Sequence, residues 1–191
     1  MGKFVRFLKR SLGQDPFALL LGPYVDSLYR AAYRFTGRVE DAEDLVQSLL
    51  LRLYSKREEL ARVKDLRPWL VRALYNLFVD TVRRNGREPA ADATGEEAIS
   101  QLHGPGPEPV ETAARAQLEA QIAAALERLN VEQRVVVTLH DMEGYNLAEI
   151  SQVLDLPIGT VKSRLHRARA RLRECLRREL FCVTQRVSKQ G

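Results

Sequence analysis

The stretch Asn146-Leu147-Ala148-Glu149-Ile150-Ser151-Gln152-Val153-Leu154-Asp155-Leu156-Pro157-Ile158-Gly159-Thr160-Val161-Lys162-Ser163-Arg164-Leu165-His166-Arg167-Ala168-Arg169 reads as two short helices joined by a tight turn. Asn146 followed three residues later by Glu149 is a capping-box pattern, in which each side chain satisfies a backbone N–H at the helix start. Ile150, Val153 and Leu154 then recur at helical spacing. Asp155 sits where the chain must turn, and a short Asx side chain tolerates the left-handed conformation. Pro157 restarts the second helix, because proline suits a first turn.

The second helix has two opposed faces. Val161, Leu165, Ala168 and Leu172 fall at i, i+4, i+7 and i+11, one buried stripe. Lys162, Ser163, His166 and Arg167 fall on another side and can donate to base edges and phosphates. A helix-turn-helix places its second helix in the major groove in this way. A solvated basic face on an ordinary helix would explain the cations, but not the capped helix and turn in front of them.

Outward from this unit, the last helix is expected to run toward Leu180. Upstream, Leu118, Ile122, Ala125, Leu126 and Leu129 carry an apolar stripe, and Asn130 with Gln133 repeats the capping pattern. The β-prone run Val135-Val136-Val137-Thr138-Leu139 follows that cap and is read as a short buried helix ended by Gly144. His140, Asp141 and Glu143 are read as solvated residues at its end.

Between Glu88 and Glu111 the charged residues are Glu88, Asp92, Glu96, Glu97, Glu108 and Glu111, interspersed with prolines and glycines. This is the composition of a flexible acidic linker. Before it, a helix is expected from about Pro23 to Thr36, with Val25, Leu28, Tyr29, Ala32 and Phe35 on one face and Gly37 as the stop. A second runs from Val39 to about Leu60, its acidic first turn matching the positive end of the helix dipole. Leu45, Leu49 and Leu53 form its buried stripe, with Asp41, Asp44, Gln47 and Ser48 on or beside an exposed face. A third opens at Leu66-Arg67-Pro68-Trp69 and ends in Arg83-Arg84-Asn85-Gly86. Leu70, Leu74, Leu77 and Thr81 face one way, and Arg72, Asn76, Val79 and Arg83 another.

The fold class is therefore all-α: two small helical domains joined by a flexible acidic linker, the second containing the helix-turn-helix. Residues 1–15 form a basic tail, 16–87 the first domain, 88–111 the linker, 112–180 the second domain and 181–191 a C-terminal tail. On such a tether the domains are expected to hold no fixed arrangement without a partner.

The net charge of +5 and an isoelectric point near 9.4 favour a polyanionic partner, with basic ends around an acidic middle. Cys175 and Cys182 match no tight zinc spacing and cannot form a disulfide framework, so their role is read as structural. The run Phe17-Ala18-Leu19-Leu20-Leu21 is too short to span a bilayer, and the basic start lacks a signal-peptide core. The cytoplasm is the expected compartment, with no direct membrane insertion. No catalytic group, metal site, cofactor or phosphate-binding glycine loop emerges.

Four motifs together resemble the bacterial sigma factors, in particular the extracytoplasmic-function (ECF) group of the sigma-70 family. They are Asp41-Ala42-Glu43-Asp44-Leu45-Val46-Gln47, Arg67-Pro68-Trp69-Leu70, Asn76, and the Gly159–Arg169 stretch. The resemblance implies that Asp41, Asp44, Leu45, Gln47 and Ser48 dock on the β′ clamp helices of core RNA polymerase. It implies that Ser55–Asp65 and the third helix capture the melted promoter −10 element, with Asn76, Asp80, Arg83 and Arg84 on the DNA side. Thr160, Lys162, Ser163, His166 and Arg167 would read the −35 element as duplex, beside a contact to the β flap, and the linker would thread the polymerase's RNA path. An anti-sigma factor is an implied partner. Unstacking costs a few kcal/mol per base, and aromatic platforms offset about 1–3 kcal/mol per base. Ser55–Asp65 has no aromatic residue, so weak intrinsic melting and strict promoter choice are expected. Asp155 departs from the glycine usual in the turn.

Two other readings compete. A stand-alone helix-turn-helix regulator explains residues 130–180 but leaves Asp41–Gln47 and Arg67–Asn76 idle. A nucleic-acid enzyme would rest on His103, His140 and His166, which lie in a linker, beside a buried run and on the recognition face.

Overall fold

The computed structural model describes residues 15–60, 62–85, 118 and 120–187. The basic start and the acidic linker lie outside these residues. Among the described residues every regular element is a helix, as the periodicities require.

Helix α1 spans Pro16–Thr36. It starts seven residues before the expected Pro23, because Asp15 caps it: the Asp15 carboxylate accepts from Phe17 N at 2.9 Å, with Pro16 in the first turn. Pro23 lies inside the helix. It removes one N–H donor, a loss offset by burial of Phe17, Ala18 and Leu21 in the added turns. Gly37, at φ 75°, ends α1 and donates to Tyr33 O.

Helix α2 spans Val39–Ser55 and buries Ala42, Leu45, Val46, Leu49, Leu50 and Leu53. The expected continuation to Leu60 is broken at Lys56, whose N–H turns back to Leu53 O. A single turn, α3 (Arg57–Leu60), follows and buries Leu60. Helix α4 (Leu66–Asn85) buries Leu70, Val71, Leu74, Leu77 and Phe78. Thr81, expected on that stripe, is exposed, and its hydroxyl bonds back to Leu77 O.

In the C-terminal half, α5 runs through residues 120–127 and buries Ala125 and Leu126, with Leu129 just beyond; Leu118 is exposed instead. Asn130 caps α6 (Val131–Val137), accepting from Gln133 N at 2.9 Å. The chain then widens into one π-helical turn, Thr138–Met142, which the apolar pattern did not signal. Gly144 at φ 72° closes it. Helix α7 (Leu147–Leu154) has the reciprocal capping box at Asn146 and Glu149. Asp155 takes the left-handed conformation at φ 54° and ψ 49°. Helix α8 spans Ile158–Val187, past the expected Leu180.

The two halves, expected to hold no fixed arrangement without a partner, lie packed against each other. One continuous core joins Leu21, Leu28, Phe35 and Leu74 to Val136, Leu139, Tyr145 and Ile150. Helix α1 lies against α6 and the π turn, and α4 against α7. The cause is apolar surface that each half leaves over: Trp69, Ala73 and Tyr75 on α4, and Met142 and Leu147 after α6, pack onto that shared core.

Candidate functional site

On α2, Asp41, Asp44, Gln47 and Ser48 are exposed along one flank. Leu45, counted with them in the sequence reading, points inward and is 5% exposed, so it supports the face from beneath. Beside them the Glu43 carboxyl is held above its ordinary range, first by burial and then by Glu40 and Asp44. The flank is therefore a concentrated negative surface on a buried scaffold.

On α4, Asn76, Asp80, Arg83 and Arg84 are exposed, with Arg84 Nε folded back to Asp80 O at 3.2 Å. One turn earlier the same helix is engaged: Arg72 Nη1 donates to Gln152 O of α7 at 3.0 Å. Tyr75 is half-buried; burial raises its hydroxyl pKa, and Arg164 and Glu132 of the C-terminal half lie within electrostatic reach.

On α8, Lys162, Ser163, His166 and Arg167 are exposed and Thr160 is partly so. Val161, Leu165 and Ala168 are buried beneath them, which fixes the roll of the helix. Ser163 Oγ donates to Thr160 O at 2.9 Å, and Arg167 Nε to Ser163 O at 3.3 Å, so the polar row is braced along its own helix. Arg164 is turned away and pairs with Glu132 of α6 at 2.8 Å.

The residues that sequence reading missed lie in the seam between the two halves. Glu143, expected to be solvated at a helix end, is buried, its side chain 3% exposed. Its Oε1 accepts from Arg34 Nη1 at 2.5 Å and its Oε2 from Ser27 Oγ at 2.8 Å, with Arg30 Nη2 at 3.7 Å. Arg67 donates to the Glu143 carbonyl and lies over the Tyr145 ring, 4.4 Å from its centroid. The Tyr145 hydroxyl returns a bond to Arg67 O at 3.3 Å, and burial pushes its pKa up to about 12. Arg134 of α6 crosses the seam the other way, to Phe35 O at 3.5 Å. These partners are 76 to 116 residues apart, and no local spacing betrays them.

Asp141 and His140 face Arg169 of α8. Arg169 donates to both Asp141 oxygens, and His140 Nδ1 lies 2.8 Å from Asp141 Oδ1. The Arg169 hydrogen bond, foremost, holds the Asp141 carboxyl below the usual range. Among the described residues no group of three or more His, Cys, Asp or Glu could hold a metal ion, and no helix is long and apolar enough to cross a membrane. Cys175 is a buried free thiol.

Residues 20–88 match the family model described as Sigma-70 region 2, and residues 119–172 that described as Sigma-70, region 4. The chain is 32% identical over 169 residues to the ECF RNA polymerase sigma factor SigW of Bacillus subtilis (strain 168), covering 86% of this chain and 90% of that protein. Two solved structures share the fold. One is the sigma factor RpoE in complex with the anti-sigma factor NepR from Bartonella quintana, at 26% identity and TM-score 0.63, covering 82% of this chain and 94% of that one. The other is CnrH in complex with the cytosolic domain of CnrY, at 25% identity and TM-score 0.60, covering 90% and 94%.

Proposed function

The chain belongs to the ECF group of the sigma-70 family, and on that footing we propose how its surfaces divide the work of an alternative sigma factor. It binds core RNA polymerase and directs it to promoters to initiate transcription. Phosphodiester chemistry belongs to the polymerase, and this chain supplies recognition in the compartment where the polymerase works, the cytoplasm. An anti-sigma factor is a partner of the kind that the RpoE neighbour's structure contains.

The acidic flank of α2, with Asp41, Asp44, Gln47 and Ser48, is the docking face for the β′ clamp helices. Asn76, Asp80, Arg83 and Arg84 on α4 face the −10 strand. Thr160, Lys162, Ser163, His166 and Arg167 on α8 enter the major groove at the −35 element, where hydrogen-bond patterns distinguish all base pairs. One observation carries this reading: a region 2 match and a region 4 match stand in one chain, each with its polar row exposed over a buried stripe.

The closed arrangement cannot serve both DNA elements at once. By their names they lie roughly 25 base pairs apart, or about 85 Å of duplex at 3.4 Å per pair. In the closed chain α4 touches α7, the first helix of the reading unit. The two halves therefore part on the promoter. The α2 flank is already open in the closed chain, which makes polymerase docking the step that precedes reading.

The test is capture of core RNA polymerase by the full chain and by Asp44→Arg, followed by transcription from a pool of genomic promoters. Capture lost on charge reversal, with defined start sites for the native chain, is the expected result. Duplex binding without any capture of core would instead make the protein a stand-alone helix-turn-helix regulator.

A further inference from the structure

Glu143 is an acid of the C-terminal half seated in a socket built by the N-terminal half. Ser27, Arg30 and Arg34 stand at i, i+3 and i+7 on α1, so one face of one helix presents a hydroxyl and two guanidiniums to the same carboxylate. Arg67, from the first turn of α4, adds a third guanidinium on the Glu143 carbonyl. Charged forks combined with a hydroxyl match the geometry of an oxyanion, and arginine is the cation best suited to phosphate oxygens. The Glu143 side chain is 3% exposed there, while Arg34 and Arg30 are 24% and 38% exposed and rise to the surface. When the halves part, the carboxylate leaves with α6 and the π turn, and the three arginines stay behind on the −10-reading half.

We propose that this socket is a phosphate site for the backbone of promoter DNA, and that Glu143 fills it as an internal stand-in for phosphate while the chain is closed. The proposal rests on the sigma-factor reading. Glu143 thus acts in two directions: it holds the seam shut, and it withholds the arginines from DNA until the chain opens. A purely structural seam would make the arginines and Glu143 interchangeable in effect. A phosphate site makes them opposite.

The test uses full-length Glu143→Ala, Arg34→Ala and the double variant, each first checked for native helicity. Promoter binding is titrated against salt, for the free chain and for the chain with core polymerase. Glu143→Ala is expected to tighten binding by the free chain and to steepen the logarithmic salt slope by about 0.9 per added duplex phosphate contact, or about 0.7 on single strands. Arg34→Ala is expected to weaken binding with core and to flatten that slope by a similar amount, and the double variant to follow Arg34→Ala. Arg34→Ala binding DNA as tightly as the native chain, or more tightly, would overturn the proposal and leave only a latch.

A second arm measures the melting temperature of Glu143→Ala in inorganic phosphate against chloride at equal ionic strength. A phosphate-specific rise that the double variant loses supports the socket. The same rise without any effect on the DNA titrations overturns its assignment to DNA. If the native chain captures no core polymerase, the sigma reading fails by itself, and this arm still decides whether the socket takes phosphate.

Discussion

Arg134 closes the ends of two helices with one guanidinium. It is 4% exposed; its Nη2 donates to Glu127 O and Leu129 O at 3.2 Å each, and its Nη1 to Phe35 O at 3.5 Å. The first carbonyl ends α5, the second lies two residues beyond it, and the third lies in the last turn of α1, where a cation also meets the negative end of the dipole. Replacing Arg134 by Met keeps most of the buried stem and removes the fork. A hydrogen bond to a charged group contributes about 1.5–3 kcal/mol, but three bonds share one head here and the contact to Phe35 is long. The expected loss is therefore about 2–4 kcal/mol rather than three full increments. Urea unfolding followed by far-ultraviolet circular dichroism measures it. With a slope of about 2–3 kcal/mol/M the midpoint falls by roughly 0.7–2 M. Arg134→Lys, which keeps the charge and loses the fork, should fall in between. A midpoint for Arg134→Met within about 0.2 M of the native one, at unchanged slope, would refute the capping role.

Other perturbations have equally definite outcomes. Asn146→Ala removes the acceptor of two N–H groups at the start of α7 and should cost about 1 kcal/mol, read as a lower melting temperature together with weaker duplex binding. Asp155→Gly relieves a left-handed backbone and should raise the melting temperature, by an amount equivalent to less than about 1 kcal/mol once the added freedom of glycine in the unfolded chain is subtracted. A fall would show that Asp155 does more than turn the chain. The Asp141 carboxyl, lowered by Arg169, contributes stability that is present above the ordinary carboxylate range and is lost as pH falls through its folded value. The stability gap between the native chain and Asp141→Asn, followed by unfolding at a series of pH values, should be constant near neutrality and close below about pH 4. Lys162→Ala or Arg167→Ala should flatten the salt slope of duplex binding by about 0.9 if that residue neutralises one phosphate, and salt titration of a −35 duplex reads it directly.

What could be read from sequence was what is written locally. The capping box at Asn146 and Glu149, the left-handed Asp155 and the Val161–Leu165–Ala168 stripe each need only neighbours within a turn or two, and each stands where expected. The apolar face that begins at Val25 set the expected start near Pro23, while the actual cap lay in Asp15 and Pro16. The π turn was invisible, since five residues carry too little pattern to tell one helical pitch from another. The seam was invisible for a different reason. Glu143 looked like any acid before a glycine, and only folding brings Ser27, Arg34 and Arg67 around it.

The π turn bears on how this chain tolerates changes in length. A residue inserted in or deleted from a helix rotates everything beyond it by about 100° and shifts it by about 1.5 Å. Losing one residue between Thr138 and Met142 would restore a regular helical pitch, a local gain in backbone geometry. Because the wide turn holds one more residue than a regular one, Glu143, Gly144 and Tyr145 would keep close to their present orientation toward α1, whereas a residue lost from the regular part of α6 would swing them by about 100°. In that second case the helix-turn-helix would survive as a unit, since its own cap and turn lie downstream, but it would meet the first half in a different orientation. The wide turn therefore takes up one residue of length while leaving the reading unit with the same face toward the rest of the chain.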